Sequence, residues 1–397
     1  MSETSTTLIH HPYKPPAGFE AVPPGVHRAS TVIFPNVAAL RQRDWKHKTG
    51  YTYGLHGTPT TFTLEQRIAT LEGGKFCTLV PSGLAAVVLV GMALLKSGDE
   101  VLIPDNAYGP NKAFAQGELA AWGVEHQFYD PMNPADLAAK LGPNTRLVWL
   151  EAPGSITLEF PDLPQLIATL KAHRQRHAAG ILSAIDNTWG AGLAFKAFDL
   201  GIDISAQALT KYPSGGADVL MGSVATNSEE LHQMLNLCHM RVGYGIAGND
   251  AELVLRGLNS MALRYAAQDT STRALALWLQ CQPQIETVLH PALPASPGHE
   301  AWKRDCSAAA CLVSVVFKPE YNQQEVDGFC DGLRLFRLGY SWAGPMSLCA
   351  PYDIASMRSN PWPYKGRLVR FSVGLEALPD LQADLAQALA AMQYSKG

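Results

Sequence analysis

The chain lacks several things that would point to other classes of protein. No window approaches the ~20 apolar residues needed to span a bilayer, so no transmembrane helix is expected. The start, Met1-Ser-Glu-Thr-Ser-Thr-Thr, has neither a basic n-region nor an apolar h-region, which makes a soluble, cytoplasmic protein the expectation. The seven cysteines are scattered at 77, 238, 281, 306, 311, 330 and 349 with no C-x-x-C pair. That pattern supports neither a disulfide framework nor a zinc ribbon, and the thiols read as reduced core residues. The 31 basic and 35 acidic side chains occur without runs and leave a formal charge of −4. They offer no electrostatic footprint for nucleic acid or an anionic membrane. The twelve histidines show no H-x-H or H-E-x-x-H spacing, so a catalytic metal has no support. Small-molecule chemistry is what remains.

At 397 residues, with 47% apolar side chains, the chain can form a large core and exceeds the size at which a single core keeps growing. Residues 1–57, rich in Pro, His and Thr, read as an extended N-terminal arm. From 58 to 253, short apolar β runs alternate with helical stretches. Strand-like runs are Phe76-Cys-Thr-Leu-Val, Glu100-Val-Leu-Ile-Pro, Thr145 to Glu151, Ile181 to Ile185, Ile204 to Ala208 and Val219 to Ala225. Helical stretches lie at Thr63 to Glu72, Gly83 to Leu95, Ala113 to Ala121 and Leu163 to Arg174. Near-continuous apolar strands separated by helices imply an α/β domain with a mostly parallel sheet covered on both faces. From 254 to 397 the rhythm changes to a smaller α+β domain. It opens on a long helix from Leu253 to Leu277, contains strands at Cys311 to Phe317 and Leu368 to Val373, and closes on an amphipathic helix from Leu378 to Met392.

Ligands of such sheets sit at the carboxyl ends of strands. Asp186 ends one strand, and Lys211 follows about 25 residues later, just past the next. An imine-forming lysine needs a fixed position at the mouth of a sheet, and a pyridine nitrogen needs a carboxylate to stay protonated, so the pair has the layout of a pyridoxal 5'-phosphate site. In Pro81-Ser-Gly-Leu, between a strand and a helix, the backbone N–H groups of Gly83 and Leu84 with the Ser82 hydroxyl could hold a phosphate. The same Ser-Gly pair also reads as an ordinary helix cap. Tyr108, after the next strand, could stack on a cofactor ring and move protons through its hydroxyl. Asp186 also reads as an N-cap and Lys211 as a solvated lysine; the order and spacing of the set carry the signal. Gly243-Tyr-Gly-Ile-Ala-Gly248 spells G-x-G-x-x-G, but the helix-like Glu229 to His239 precedes it. Without a βαβ context it reads as a flexible loop near the active-site entrance.

These residues resemble the Cys/Met-metabolism (transsulfuration) family of fold-type-I pyridoxal-phosphate enzymes over nearly the whole chain. The resemblance is carried by Tyr51-Thr-Tyr-Gly, Glu151-Ala-Pro-Gly-Ser-Ile-Thr-Leu-Glu, Ile185-Asp-Asn-Thr-Trp-Gly, His290-Pro-Ala-Leu-Pro, Tyr340-Ser-Trp and Leu368-Val-Arg-Phe-Ser-Val-Gly-Leu-Glu. It implies that Lys211 holds the cofactor as a Schiff base and that Asp186 pairs with the ring nitrogen. Tyr108 would stack, and Ser82, Gly83, Leu84 and Thr210 would contact the phosphate. Arg370 would grip the substrate α-carboxylate, with Tyr340, Ser341 and Trp342 shaping that end of the pocket. Tyr53 would reach in from a neighbouring subunit, implying shared active sites in a dimer of dimers, a homotetramer.

Trp189 and Tyr340-Ser341-Trp342 are similar to the β-lyase branch. The expected reaction is therefore cleavage of cystathionine, or a related amino-acid thioether, to a thiol such as homocysteine, pyruvate and ammonia. The alternatives are a γ-lyase, a γ-synthase, a racemase, or a regulatory binding protein on this scaffold. Three departures stand out. Leu55 occupies the place of the family's phosphate-clamping arginine, with His56 next to it as a substitute cation. Lys211-Tyr-Pro-Ser-Gly-Gly-Ala-Asp218 departs from the family's loop, and Ala343-Gly-Pro-Met346 lacks an acidic residue usually found there.

Overall fold

The computed structural model describes residues 3–392 apart from 14, 16, 20, 46, 49 and 177–179. Among these residues the strands form two sheets. The larger contains β1 Phe76–Val80, β2 Glu100–Pro104, β3 Glu125–Tyr129, β4 Thr145–Glu151, β5 Leu182–Asp186, β6 Ile204–Ala208 and β7 Gly222–Thr226, in the order β1-β7-β6-β5-β4-β2-β3. Every pairing is parallel except those of β7, which runs antiparallel to both β1 and β6. The run expected at Val219 to Ala225 therefore enters its sheet three residues late and reversed. Val219 and Met221 are buried in the turn that brings the chain back beside β6.

Side chains alternate along a strand, and here successive residues feed two separate cores. Leu102, Val148 and Ile185 pack under the helices Pro59–Glu72 and Leu163–Arg176. Val101, Leu147 and Ala184 pack on the opposite face with the helix Gly83–Leu94. The two-sided burial that the apolar strands imply is thus present. The helix expected from Ala113 begins earlier, at Gly109, and passes into a π-helical turn at Ala115–Leu119.

The second sheet contains β8 Ile285–Leu289, β9 Leu312–Phe317, β10 Arg337–Leu338, β11 Leu348–Tyr352 and β12 Leu368–Ser372, in the order β10-β11-β12-β9-β8. Val369 and Phe371 face a core closed by the helices Gln323–Asp331 and Leu378–Ala391. The two sheets are joined by one 33-residue helix, Gly248–Gln280. Val254, Leu258 and Tyr265 belong to the core of the large sheet, and Leu275 and Leu279 to that of the small one. The boundary expected at 253/254 falls inside this helix, which contributes to both cores.

The N-terminal arm is less extended than its composition suggests. Thr4–Ile9 is helical and inserts Leu8 into the large core, Val37–Arg41 forms a second short helix, and Lys48 pairs with Glu65 at 2.5 Å. Phe19, Val22 and Ile33 stay exposed. No helix among the described residues is long and apolar enough to cross a membrane.

Candidate active site

A cavity of about 500 Å³ opens at the carboxyl ends of β4, β5 and β6 and is walled on its other side by residues of the second sheet. Its ionisable lining comprises Glu151, Asp186, Lys211 and Arg370, with Tyr108, Tyr340 and Tyr352. Parallel pairing explains the acidic pair, because Glu151 and Asp186 are register partners and both β4 and β5 end there.

Asp186 Oδ1 accepts hydrogen bonds from the Thr188 amide at 3.0 Å and the Thr188 hydroxyl at 2.5 Å. The local cap expected as an alternative is therefore real, but it occupies one oxygen. No hydrogen bond reaches Oδ2 among the described residues. Burial raises the Asp186 pKa, although Thr188 and Lys211 oppose the shift. Lys211 follows the end of β6, and its Nζ donates to Ser341 Oγ at 2.9 Å. Burial, with the Arg370 charge adding to it, lowers the Lys211 pKa to about 8.

Arg370, on β12, is 7% exposed. Its Nη1 donates to the Ser155 carbonyl at 3.0 Å and its guanidinium lies 5.2 Å from the Tyr352 ring centre. It has no carboxylate partner among the described residues. A buried, unneutralised guanidinium is costly unless an anion is meant to meet it. Ser82 caps the helix Gly83–Leu94 by accepting from the Ala85 amide at 3.0 Å. The first-turn amides of Gly83 and Leu84 are left unbonded by the helix itself. A Cβ on Gly83 would lie 2.6 Å from the Ala208 Cβ, so only glycine lets this turn sit against the end of β6.

The cavity brings together Ser82, Gly83, Leu84, Tyr108, Asp186, Thr210, Lys211, Arg370 and the Tyr340-Ser341-Trp342 run. Thr210 lines it, but its hydroxyl exchanges hydrogen bonds with the Met221 backbone. Tyr340 stands 81% exposed at the mouth. Tyr53 does not line this chain's cavity; it sits on the arm, bridged to Thr31 and 48% exposed. The G-x-G-x-x-G loop does not line it either. Gly243 is the left-handed C-cap of the helix Glu229–Val242, and Gly248 begins the next helix against the His27 carbonyl. His56 is a poor substitute cation, because burial and then the Lys48 and Arg43 charges lower its pKa.

Sequence reasoning did not single out Glu151, whose carboxylate accepts from the Tyr108 amide at 2.8 Å. Burial, reinforced by Asp186, pushes its pKa far above the usual carboxylate range. The available signal was an acid closing an apolar strand, the same signal that exposed Asp186. Trp189, singled out by the resemblance but given no role there, also lines the cavity, and its indole Nε1 is buried without a hydrogen-bond partner among the described residues.

Pyridoxal 5'-phosphate fits these residues. Among the described residues Asp186 is a buried carboxylate with one oxygen unbonded and no fixed cation beside it except Lys211, as a protonated ring nitrogen requires. The free amides of a 12-residue helix suit a phosphate.

Fold and site together define a fold-type-I pyridoxal-phosphate enzyme. Residues 5–390 match the family model for Cys/Met metabolism PLP-dependent enzymes, and the chain belongs to that family. It is 38% identical to cystathionine beta-lyase MetC of Escherichia coli K12, over 91% of each chain. It is also 38% identical to cystathionine beta-lyase of Bordetella avium, over 98% of this chain and 99% of that one. Its fold matches the crystal structure of metB from Corynebacterium glutamicum with a TM-score of 0.90, at 28% identity and 99% coverage of both chains.

Proposed function

We infer that this chain is a carbon–sulfur β-lyase that cleaves cystathionine or a related cysteine thioether to a thiol, pyruvate and ammonia. The observation that carries the reading is the meeting of Lys211, Asp186 and the unneutralised Arg370 in one cavity. The Escherichia coli and Bordetella avium relatives bear that activity in their names.

When bound, the cofactor supplies an electron sink for the bonds around the substrate Cα. Arg370 would hold the substrate α-carboxylate through its paired N–H groups. Lys211, its pKa lowered to about 8, gives up its proton far more readily than a solvated lysine and would take the Cα proton at Nζ as the neutral amine, with Ser341 Oγ fixing where that nitrogen points. Asp186 would remain ionised against the ring nitrogen. Tyr108 keeps its hydroxyl proton, since burial and the nearby acids raise its pKa, and it can donate toward the departing sulfur.

Two chains are inferred to share active sites, Tyr53 entering from a neighbour, in a tetramer. The exposed arm residues Phe19, Val22 and Ile33 support burial against another copy. The seven free thiols are consistent with a cytoplasmic enzyme.

The test is product analysis with cystathionine. Pyruvate in step with thiol release supports β-elimination. Release of 2-oxobutyrate instead would assign a γ-lyase, and a D-amino acid a racemase.

A further inference from the structure

A second cavity of about 200 Å³ lies beside the first, and the two share Gly109, Ile156 and Met357 in their walls. Of these three, Met357 has the longest and most flexible side chain. Its Cε lies 3.9 Å from where a Cβ on Gly109 would sit, next to Tyr108. A methionine is flexible and fills irregular gaps, so its position depends on what fixes its backbone.

That backbone is tied to the large sheet over a sequence distance of about 250 residues. Lys112 Nζ donates to the Met357 carbonyl at 2.8 Å, to the Asp105 carbonyl at 2.9 Å and to Asp105 Oδ1 at 3.0 Å. All three ammonium protons are used. Asp105, the residue after β2, accepts from the Ser359 amide at 2.8 and 3.1 Å and from the Asn360 amide at 2.9 Å. Burial would raise its pKa, but these amides and Lys112 outweigh it and the net shift is downward. Arg358 adds a bond to Glu159 at 2.6 Å and one to Thr157. Asp105 and Lys112 are both buried, so this is a fixed clamp and not a surface pair.

We propose that Met357 limits the size of the sulfur substituent the enzyme accepts, and that the Asp105–Lys112 pair positions it for that role. The proposal rests on the β-lyase reading above. In that reading Arg370, Lys211 and Asp186 are committed to the substrate carboxylate and the cofactor. The sulfur substituent is left with the uncharged wall that includes Pro110, Tyr340 and Met357. Shortening Met357 would join the two cavities and let a bulky group pass.

The experiment measures pyruvate release by the cofactor-loaded enzyme from S-methylcysteine and S-benzylcysteine. Met357→Ala is expected to raise the benzyl-to-methyl ratio of kcat/KM by about tenfold or more, the effect of opening an apolar wall by several atoms. Lys112→Met should raise it in the same direction, chiefly through KM, and Lys112→Arg should bring it back toward wild type. The Met357→Ala/Lys112→Met double variant should not exceed Met357→Ala alone, since Lys112 acts through the Met357 side chain. Amide exchange at Ser359 and Asn360 should quicken in Lys112→Met and not in Met357→Ala. Asp105→Asn takes the place of Lys112→Met should the latter fail to fold. An unchanged ratio in an active Met357→Ala enzyme overturns the size limit, and multiplicative effects in the double variant overturn the positioning role. A wild-type enzyme that releases no pyruvate from these substrates or from cystathionine overturns the β-lyase reading, and the substrate assignment falls with it.

Discussion

Lys211 Nζ donates to Ser341 Oγ at 2.9 Å, so the lysine at the end of one sheet is aimed by a residue that enters the cavity from the other half of the chain. Ser341 has φ 117°, a region where a side chain is strained. Ser341→Ala keeps the strain and loses the bond. It is expected to lower kcat about three- to tenfold with the cofactor's visible band retained. Ser341→Gly loses the same bond but relieves the backbone, and should be more stable than Ser341→Ala by about 1 kcal/mol in thermal unfolding.

Lys211 and Arg370 face the same cavity, and the arginine charge adds to burial in lowering the lysine pKa to about 8. Labelling of the apoenzyme lysine by an amine-reactive reagent should rise through a midpoint near that pH. Arg370→Met should move the midpoint upward, because one of the two depressing influences is gone. A midpoint that stays put would remove Arg370 from the neighbourhood of Lys211.

Arg370→Met should also act on the substrate. A carboxylate contact to a desolvated guanidinium is worth about 2–4 kcal/mol, so KM should rise by one to three orders of magnitude. Cofactor content should be unchanged. A wild-type KM would take Arg370 out of the binding site.

Glu72 ends the helix Pro59–Glu72 beneath the large sheet and accepts from Asn187 at 2.9 Å, Ser205 at 2.9 Å and Gln207. Burial raises its pKa to about 7 despite those bonds, with Asp186 pushing the same way. The folded chain then holds a proton between about pH 4.5 and 7 that the unfolded chain has released. Folding stability contributed by this group therefore falls as pH rises through that window. The stability difference between wild type and Glu72→Gln, from denaturant unfolding at pH 4.5 and 7, should change by on the order of 3 kcal/mol against wild type. A pH-independent difference would show that Glu72 is ionised throughout.

What the sequence revealed follows from how each residue is held. Asp186 and Lys211 were legible because the first closes an apolar strand and the second follows closely on the end of the next, where local pattern places the side chain at the sheet mouth. Gly83 was legible because the turn into a helix has a local signature. Arg370 came only through family resemblance: its run reads as any buried strand, and the reason it faces the cavity lies in the pairing of β12 with β9 and β11. Glu151 became visible only when β4 and β5 were set in register. The clamp from Asp105 and Lys112 to Met357 joins segments about 250 residues apart, and no local pattern records such a contact. The reversal of β7 escaped for a related reason, since an apolar run carries no mark of its direction.

The arm supplies the last prediction. Leu55 stands where the family resemblance calls for a cationic clamp on the cofactor phosphate, and His56 beside it was the available substitute. The structure weakens that substitute, because burial and the charges of Lys48 and Arg43 lower the His56 pKa. Its Nδ1 is 2.8 Å from the Thr52 hydroxyl, and its ring stacks on Trp45 with centres 5.5 Å apart. An imidazole whose pKa is lowered in this way carries charge toward a phosphate less readily than an ordinary histidine. His56→Ala should accordingly leave cofactor affinity unchanged between about pH 6 and 8, the range over which an ordinary histidine would titrate. Leu55→Arg should tighten cofactor binding about ten- to a hundredfold, the value of one charge-assisted hydrogen bond to phosphate. Cofactor titration of the three proteins across that range decides the matter. An affinity in wild type that falls with rising pH and is lost in His56→Ala would restore the histidine as the clamp, and no change in Leu55→Arg would mean that the arm does not reach a neighbouring phosphate.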